Sequence, residues 1–119
     1  MNHVPWRRIV IEQLQLLGSN AEQLEYEVSV PRVDITAELL SGWFDDTYHP
    51  EAEDFAINFS NEELLALDQF SNRFSEQIRR LPPSQGTVKS WHPSPHWQVV
   101  MSSAQTTLAV LVPSIPENP

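Results

Sequence analysis

Apolar residues recur at helical spacing in three long stretches of the chain. Trp6, Val10, Leu14 and Leu17 step by four, four and three, the stripe of an amphipathic helix. Pro5 fits the first turn, where its missing N–H costs nothing, and Gly18 marks the end. Leu67, Phe70, Phe74, Ile78 and Leu81 step by three, four, four and three, enough for a helix of about five turns. Ser60-Asn61-Glu62-Glu63 precedes them as a capping box: the Ser60 hydroxyl accepts from the Glu63 N–H and the Glu63 carboxylate reaches back. Arg79 and Arg80 complement the carbonyl end, and Pro82-Pro83 stop the helix. A third stripe, Trp97, Val100, Met101, Ala104, Leu108 and Leu111, follows Ser94-Pro95, an N-cap and first-turn proline pair. Its other face carries Ser, Gln and Thr instead of charge, which predicts partial cover by other elements.

Shorter elements fill the gaps. Ser19 or Asn20 caps the segment AEQLEYEV, which ends near Ser29 because Pro31 disfavours continuation. VPRVDI reads as extended, with Val30, Val33 and Ile35 available to the core. Thr36 opens TAELLSGWFDDTY, a helix with Glu38 in its first turn and Leu39, Leu40, Trp43 and Phe44 on its apolar face. HPEAEDFAINF is a loop or one short helix after Pro50, and VKSWH forms one turn before Pro93. The fold class that follows is all-α, a compact bundle of four to six helices in a single domain over 1–119, with 113–119 as a loose tail. Only 3 glycines speak against a sandwich or barrel, which needs many tight turns.

Charge changes this picture more than composition does. Between Glu22 and Asp68 stand thirteen carboxylates against one base, Arg32, a charge of −12 in a chain whose total is −9. A one-sided field of this kind governs partners and association rate, not fold. It disfavours nucleic acid and anionic membranes. No apolar span of membrane length and no signal-peptide core is seen, and cysteine is absent, which together point to the cytoplasm.

The densest chemistry lies in Asp45-Asp46-Thr47-Tyr48-His49-Pro50-Glu51-Ala52-Glu53-Asp54. Hard cations take oxygen ligands, but this run has no glycine for a calcium loop and no second ligand-bearing helix for a metal centre built from Asp45, His49, Glu51 and Asp54. Asp45 and Asp46, as sequence neighbours, point different ways and do not form a catalytic dyad. His92 and His96 stand at i, i+4, yet Pro93 and Pro95 set them on opposite sides of a helix start, which favours turn packing beside Trp91 and Trp97 over a metal pair. The expectation is therefore no catalytic residue, no cofactor and no metal. Trp43 and Phe44 suit the core, while Tyr48 stands between covering the core and anchoring a partner. Asp45, Asp46, Tyr48, Glu51, Glu53 and Asp54 are the expected partner-binding residues, because an acidic rim around an aromatic anchor steers a basic protein.

The pattern LLGSNAEQLEYE, VPRVDI, ELLSGWFDDTYHP, FSNEE and LP resembles the small helical immunity proteins of bacterial contact-dependent inhibition and related polymorphic toxin systems. The resemblance spans most of the chain and rests on the helix plan, the acidic balance and the WFDD-x-Y-H-P stretch. It implies a non-enzymatic cytoplasmic protein that binds one toxin domain, commonly a basic nuclease, and occludes its substrate site. Asp45, Asp46 and Tyr48 would lie at or near the toxin surface. An acidic adaptor or regulatory subunit with a non-toxin partner is the alternative reading of the same surface.

Overall fold

A computed structural model describes residues 4–30, 33–82 and 86–112. It contains six α-helices, α1 Trp6–Leu17, α2 Asn20–Ser29, α3 Ile35–Phe44, α4 Glu53–Ala56, α5 Asn61–Ile78 and α6 Pro95–Leu111, with a 3₁₀ turn at Val88–Ser90. Among the described residues there is no strand. The tail 113–119 and the base Arg32 lie outside the described residues.

Local chemistry accounts for the element ends. Ser19, Asp34, Ser60 and Ser94 each accept a backbone N–H at the start of a helix. The Ser60 box is complete, with Glu63 N–H donating to Ser60 Oγ at 3.1 Å and Ser60 N–H to Glu63 Oε1 at 2.9 Å. α3 begins one residue earlier than Thr36 because Asp34 takes the capping role, accepting from Ala37 N–H and from the Thr36 hydroxyl. The extended reading of Val30–Ile35 needs correcting at two residues. Ile35 already lies in α3 and is buried, and Val33 is exposed. Gly86, at φ +84, is the one described position where a left-handed backbone demands glycine. Its carbonyl accepts from Ile35 N–H at 3.1 Å.

α5 and α6 form the most extensive helix pair, and α1 lies on α6. Gly18 allows the end of α1 to approach α6 closely, since a Cβ there would meet Gln105 Cγ at 3.0 Å. The core between them joins Val10, Leu14 and Leu17 of α1 with Leu67, Phe70 and Phe74 of α5 and Trp97, Val100 and Leu111 of α6. Aromatic rings form a continuous path through it. Trp6 meets Phe55, Phe55 meets Tyr48, Tyr48 stacks on Trp43, and Phe70 and Phe74 carry the path to Trp97 and Trp91, all at centroid separations of 4.9–6.0 Å. Edge-on and offset pairs of this kind add to simple burial. Partial cover of α6 holds at two positions: Ser103 and Thr107 are buried, and the Thr107 hydroxyl donates to the Ser103 carbonyl.

The buried amide of Gln23 ties three segments together. Its Nε2 donates to the carbonyls of Leu16 and Leu17, both at 3.0 Å, satisfying the end of α1. Its Oε1 accepts from Trp97 Nε1 at 3.1 Å and from His92 Nε2 at 2.9 Å. A buried polar group with all partners made is neutral to favourable, and costly once its partners are orphaned. Gln23→Leu is expected to lower the unfolding free energy by about 2–4 kcal/mol, because it strands the Trp97 indole N–H and the Leu17 carbonyl. Urea unfolding monitored by far-ultraviolet circular dichroism measures this, and a loss under about 1 kcal/mol would contradict the assignment.

Candidate partner-binding surface

α3 does not run on to Tyr48. It stops at Phe44, and the chain curls back on itself. Asp46 N–H reaches the Ser41 carbonyl at 3.0 Å and Tyr48 N–H reaches the Trp43 carbonyl at 2.9 Å, both five residues back, as in the wide turns that close helix C-termini. The curl stacks Tyr48 on Trp43 at 5.2 Å and 11°. Trp43 is fully buried and donates from Nε1 to Ser71 Oγ, and Phe44 is half-buried against Phe74. Tyr48 is half-buried, with its hydroxyl donating to Asp68 Oδ1 at 3.3 Å. Burial, and then the Asp68 carboxylate, push its phenol well above the ordinary value, so Tyr48 remains a neutral donor at physiological pH. The same turn leaves Asp45 and Asp46 exposed.

The second half of the stretch is held from α1. Trp6 donates from Nε1 to Asp54 Oδ2 at 3.1 Å and packs edge-on against His49 and Phe55. His49 Nδ1 lies 3.6 Å from Glu51 Oε2. Arg7 forms a two-pronged pair with Glu63 at 2.7 and 2.8 Å and also donates to the carbonyls of Asn58 and Leu111. One guanidinium thus joins α1, the α4–α5 turn, the α5 cap and the end of α6. These anchors fix the backbone that presents Glu51, Glu53 and Asp54, all exposed.

The expected site residues therefore fall on one connected stretch, folded over Trp43 and Phe55. They do not play equal parts. Asp45, Asp46, Glu51 and Glu53 are exposed, and among the described residues the one side-chain contact they make is that of Glu51 with His49. Asp54 and Tyr48 are engaged by Trp6 and Asp68. Three further residues of this segment, Asp68, Ile57 and Leu65, are not singled out by the sequence reading. Asp68, twenty residues downstream, is brought to Tyr48 by α5. Ile57 and Leu65 are 75% and 58% exposed within the acidic segment. The signal available for them was Ile57 between two polar-flanked turns and Leu65 off the stripe of α5.

The remaining histidines have separate partners, His92 on Gln23 and His96 Nδ1 on Gln77 Oε1 at 2.9 Å. Among the described residues no three His, Asp or Glu side chains converge as a metal would require. No described helix is long and apolar enough to cross a membrane.

Acid weakens the fold through two of these groups. The Arg7 pair first, and the capping bonds with it, hold the Glu63 carboxyl down to about 2 against an ordinary 4.5. Burial lowers His92 below its ordinary 6.5, partly opposed by Glu27. Both folded values lie below the unfolded ones, so each contribution is complete above the unfolded value and is lost as pH falls through the folded one. Stability is expected to decline gently below pH 6.5 and steeply between 4.5 and 2, the second step being about 1–2 kcal/mol after allowance for solvent screening at half-exposed Arg7. Urea midpoints across pH 7.5 to 2.5 measure it. Glu63→Gln should flatten the lower step, and an unchanged slope would contradict the role of the pair.

Comparison with family models, curated proteins and solved structures finds no match to this chain.

Proposed function

We propose that this protein is an acidic inhibitor of the immunity type, which binds a basic toxin domain, most simply a nuclease, and occludes its substrate site in the cytoplasm. One observation carries the reading. Of the thirteen carboxylates from Glu22 to Asp68, eleven are exposed, and among the described residues only Glu63 is paired with an arginine. An unneutralised surface of one sign opposes its own folding and serves association with the opposite sign. Asp45 and Asp46 sharpen the point. They sit at the negative end of α3, where a carboxylate works against the helix dipole and a base would be favoured. Among the described residues no arginine or lysine pairs with either aspartate, whereas a Lys- or Arg-lined cleft would offset the placement. In such a cleft the carboxylates stand where nucleic-acid phosphates would bind, with Ile57 and Leu65 as apolar contacts beside them.

The test is inhibition. Stoichiometric addition of the chain to its basic partner should abolish that partner's cleavage of nucleic acid. A bound partner whose activity is unchanged or raised would favour the adaptor reading and overturn inhibition.

A further inference from the structure

Away from the acidic surface, α5 and α6 enclose a cleft of about 130 Å³, room for about four waters or one small oxyanion. Its deep side is formed by buried Phe70, Ser103 and Thr107, and its mouth by exposed Gln69, Arg73 and Thr106. The hydroxyl protons of Thr106 and Thr107 are already given to the carbonyls of Ser102 and Ser103. Ser103 is different. Its residue is 8% exposed, it lines the cleft, and its hydroxyl makes no hydrogen bond with the described residues. Arg73 is also without an acid in ion-pairing distance among the described residues, in a chain with 16 acidic and 7 basic side chains. The cleft therefore gathers unused donors of three kinds, a guanidinium, an amide and a hydroxyl, over an apolar ring.

We infer that the α5–α6 cleft binds a small oxyanion, a carboxylate or phosphate group, with Arg73 pairing its charge, Gln69 donating at the mouth and Ser103 donating from within. Guanidinium geometry suits two oxygens of one such group, and the Ser103 hydroxyl, accessible from the cleft it lines, can donate a further bond. This site stands apart from the partner-binding reading and survives if that reading fails.

Amide-resolved NMR of the full chain, titrated with sodium phosphate or sodium acetate against sodium chloride at equal ionic strength, tests it. The expected result is saturable shifts at Gln69, Arg73, Ser103 and Thr107 with phosphate or acetate and none with chloride. Arg73→Gln, an exposed change that leaves the fold intact, should weaken binding about tenfold or more, and Ser103→Ala about fivefold, the value of one neutral hydrogen bond. A terminally blocked aspartyl peptide binding more tightly than acetate would assign the anion to a protein side chain, and phosphate or acetate binding at least as tightly would assign it to a free solute. Equal shifts with chloride, failure to saturate, or unchanged binding in Arg73→Gln would overturn the inference.

Discussion

Trp43→Ala is expected to lower the unfolding free energy by about 3–5 kcal/mol, the largest effect of any single substitution considered for this fold. The side chain is fully buried and donates to Ser71. It touches Phe70 edge-on at 4.9 Å and carries Tyr48 on its face at 5.2 Å. Truncation leaves a cavity, cuts the aromatic path in its middle and removes the platform that holds the turn after α3. The consequence reaches the surface, because Asp45, Asp46 and Tyr48 are positioned by that turn. Trp43→Phe keeps a ring in place and loses chiefly the indole N–H bond, so it should cost about 1–2 kcal/mol. Urea unfolding of both variants measures the difference. A Trp43→Ala loss below about 2 kcal/mol would mean that the turn is held by something other than this ring.

The double substitution Asp45→Lys with Asp46→Lys should move stability and binding in opposite directions. Both side chains are exposed at the carbonyl end of α3, where exchanging negative for positive charge favours the dipole, by about 0.3–1 kcal/mol. Against a basic partner the same exchange replaces attraction by repulsion, and binding should weaken by about 2–5 kcal/mol, or roughly 30- to several-thousand-fold in Kd. Thermal unfolding and titration calorimetry read the two halves separately. A variant that unfolds earlier would place these aspartates in the fold's own support. One that binds as before would move the interface elsewhere on the acidic segment.

Much of this architecture is legible from residue order because its signals are local. The Ser60–Glu63 box, Pro95 behind Ser94, and the stripes of α1, α5 and α6 all act within a few residues. Where α3 ends is not local in this sense. Apolar spacing through WFDDTY continues the helix pattern, but stacking of Tyr48 on Trp43 is available only if the chain curls back. Gln23 was equally hidden. In AEQLEYEV it looks like one more solvated polar residue, and its burial depends on Leu16, Leu17, His92 and Trp97, the last two about seventy positions away. The acidic residues of the candidate site were legible as a charge run, and their exposure follows from the cost of burying unpaired carboxylates. Which apolar side chains stand among them was not, because exposure of Ile57 and Leu65 depends on how α4 and α5 meet, not on residue type.

If the acidic surface around Asp45 and Asp46 takes a basic protein partner, capture of that partner must depend on those two charges and on salt. Parallel affinity capture from the native cell lysate at low salt tests it most directly, using the unmodified chain and the Asp45→Lys, Asp46→Lys variant, with proteins released by a salt gradient and identified by mass spectrometry. The expected result is one basic, nuclease-like protein that leaves the unmodified chain only at high salt and does not bind the variant. The same protein on both chains, a partner released only by denaturant, or a neutral metabolic enzyme would contradict it.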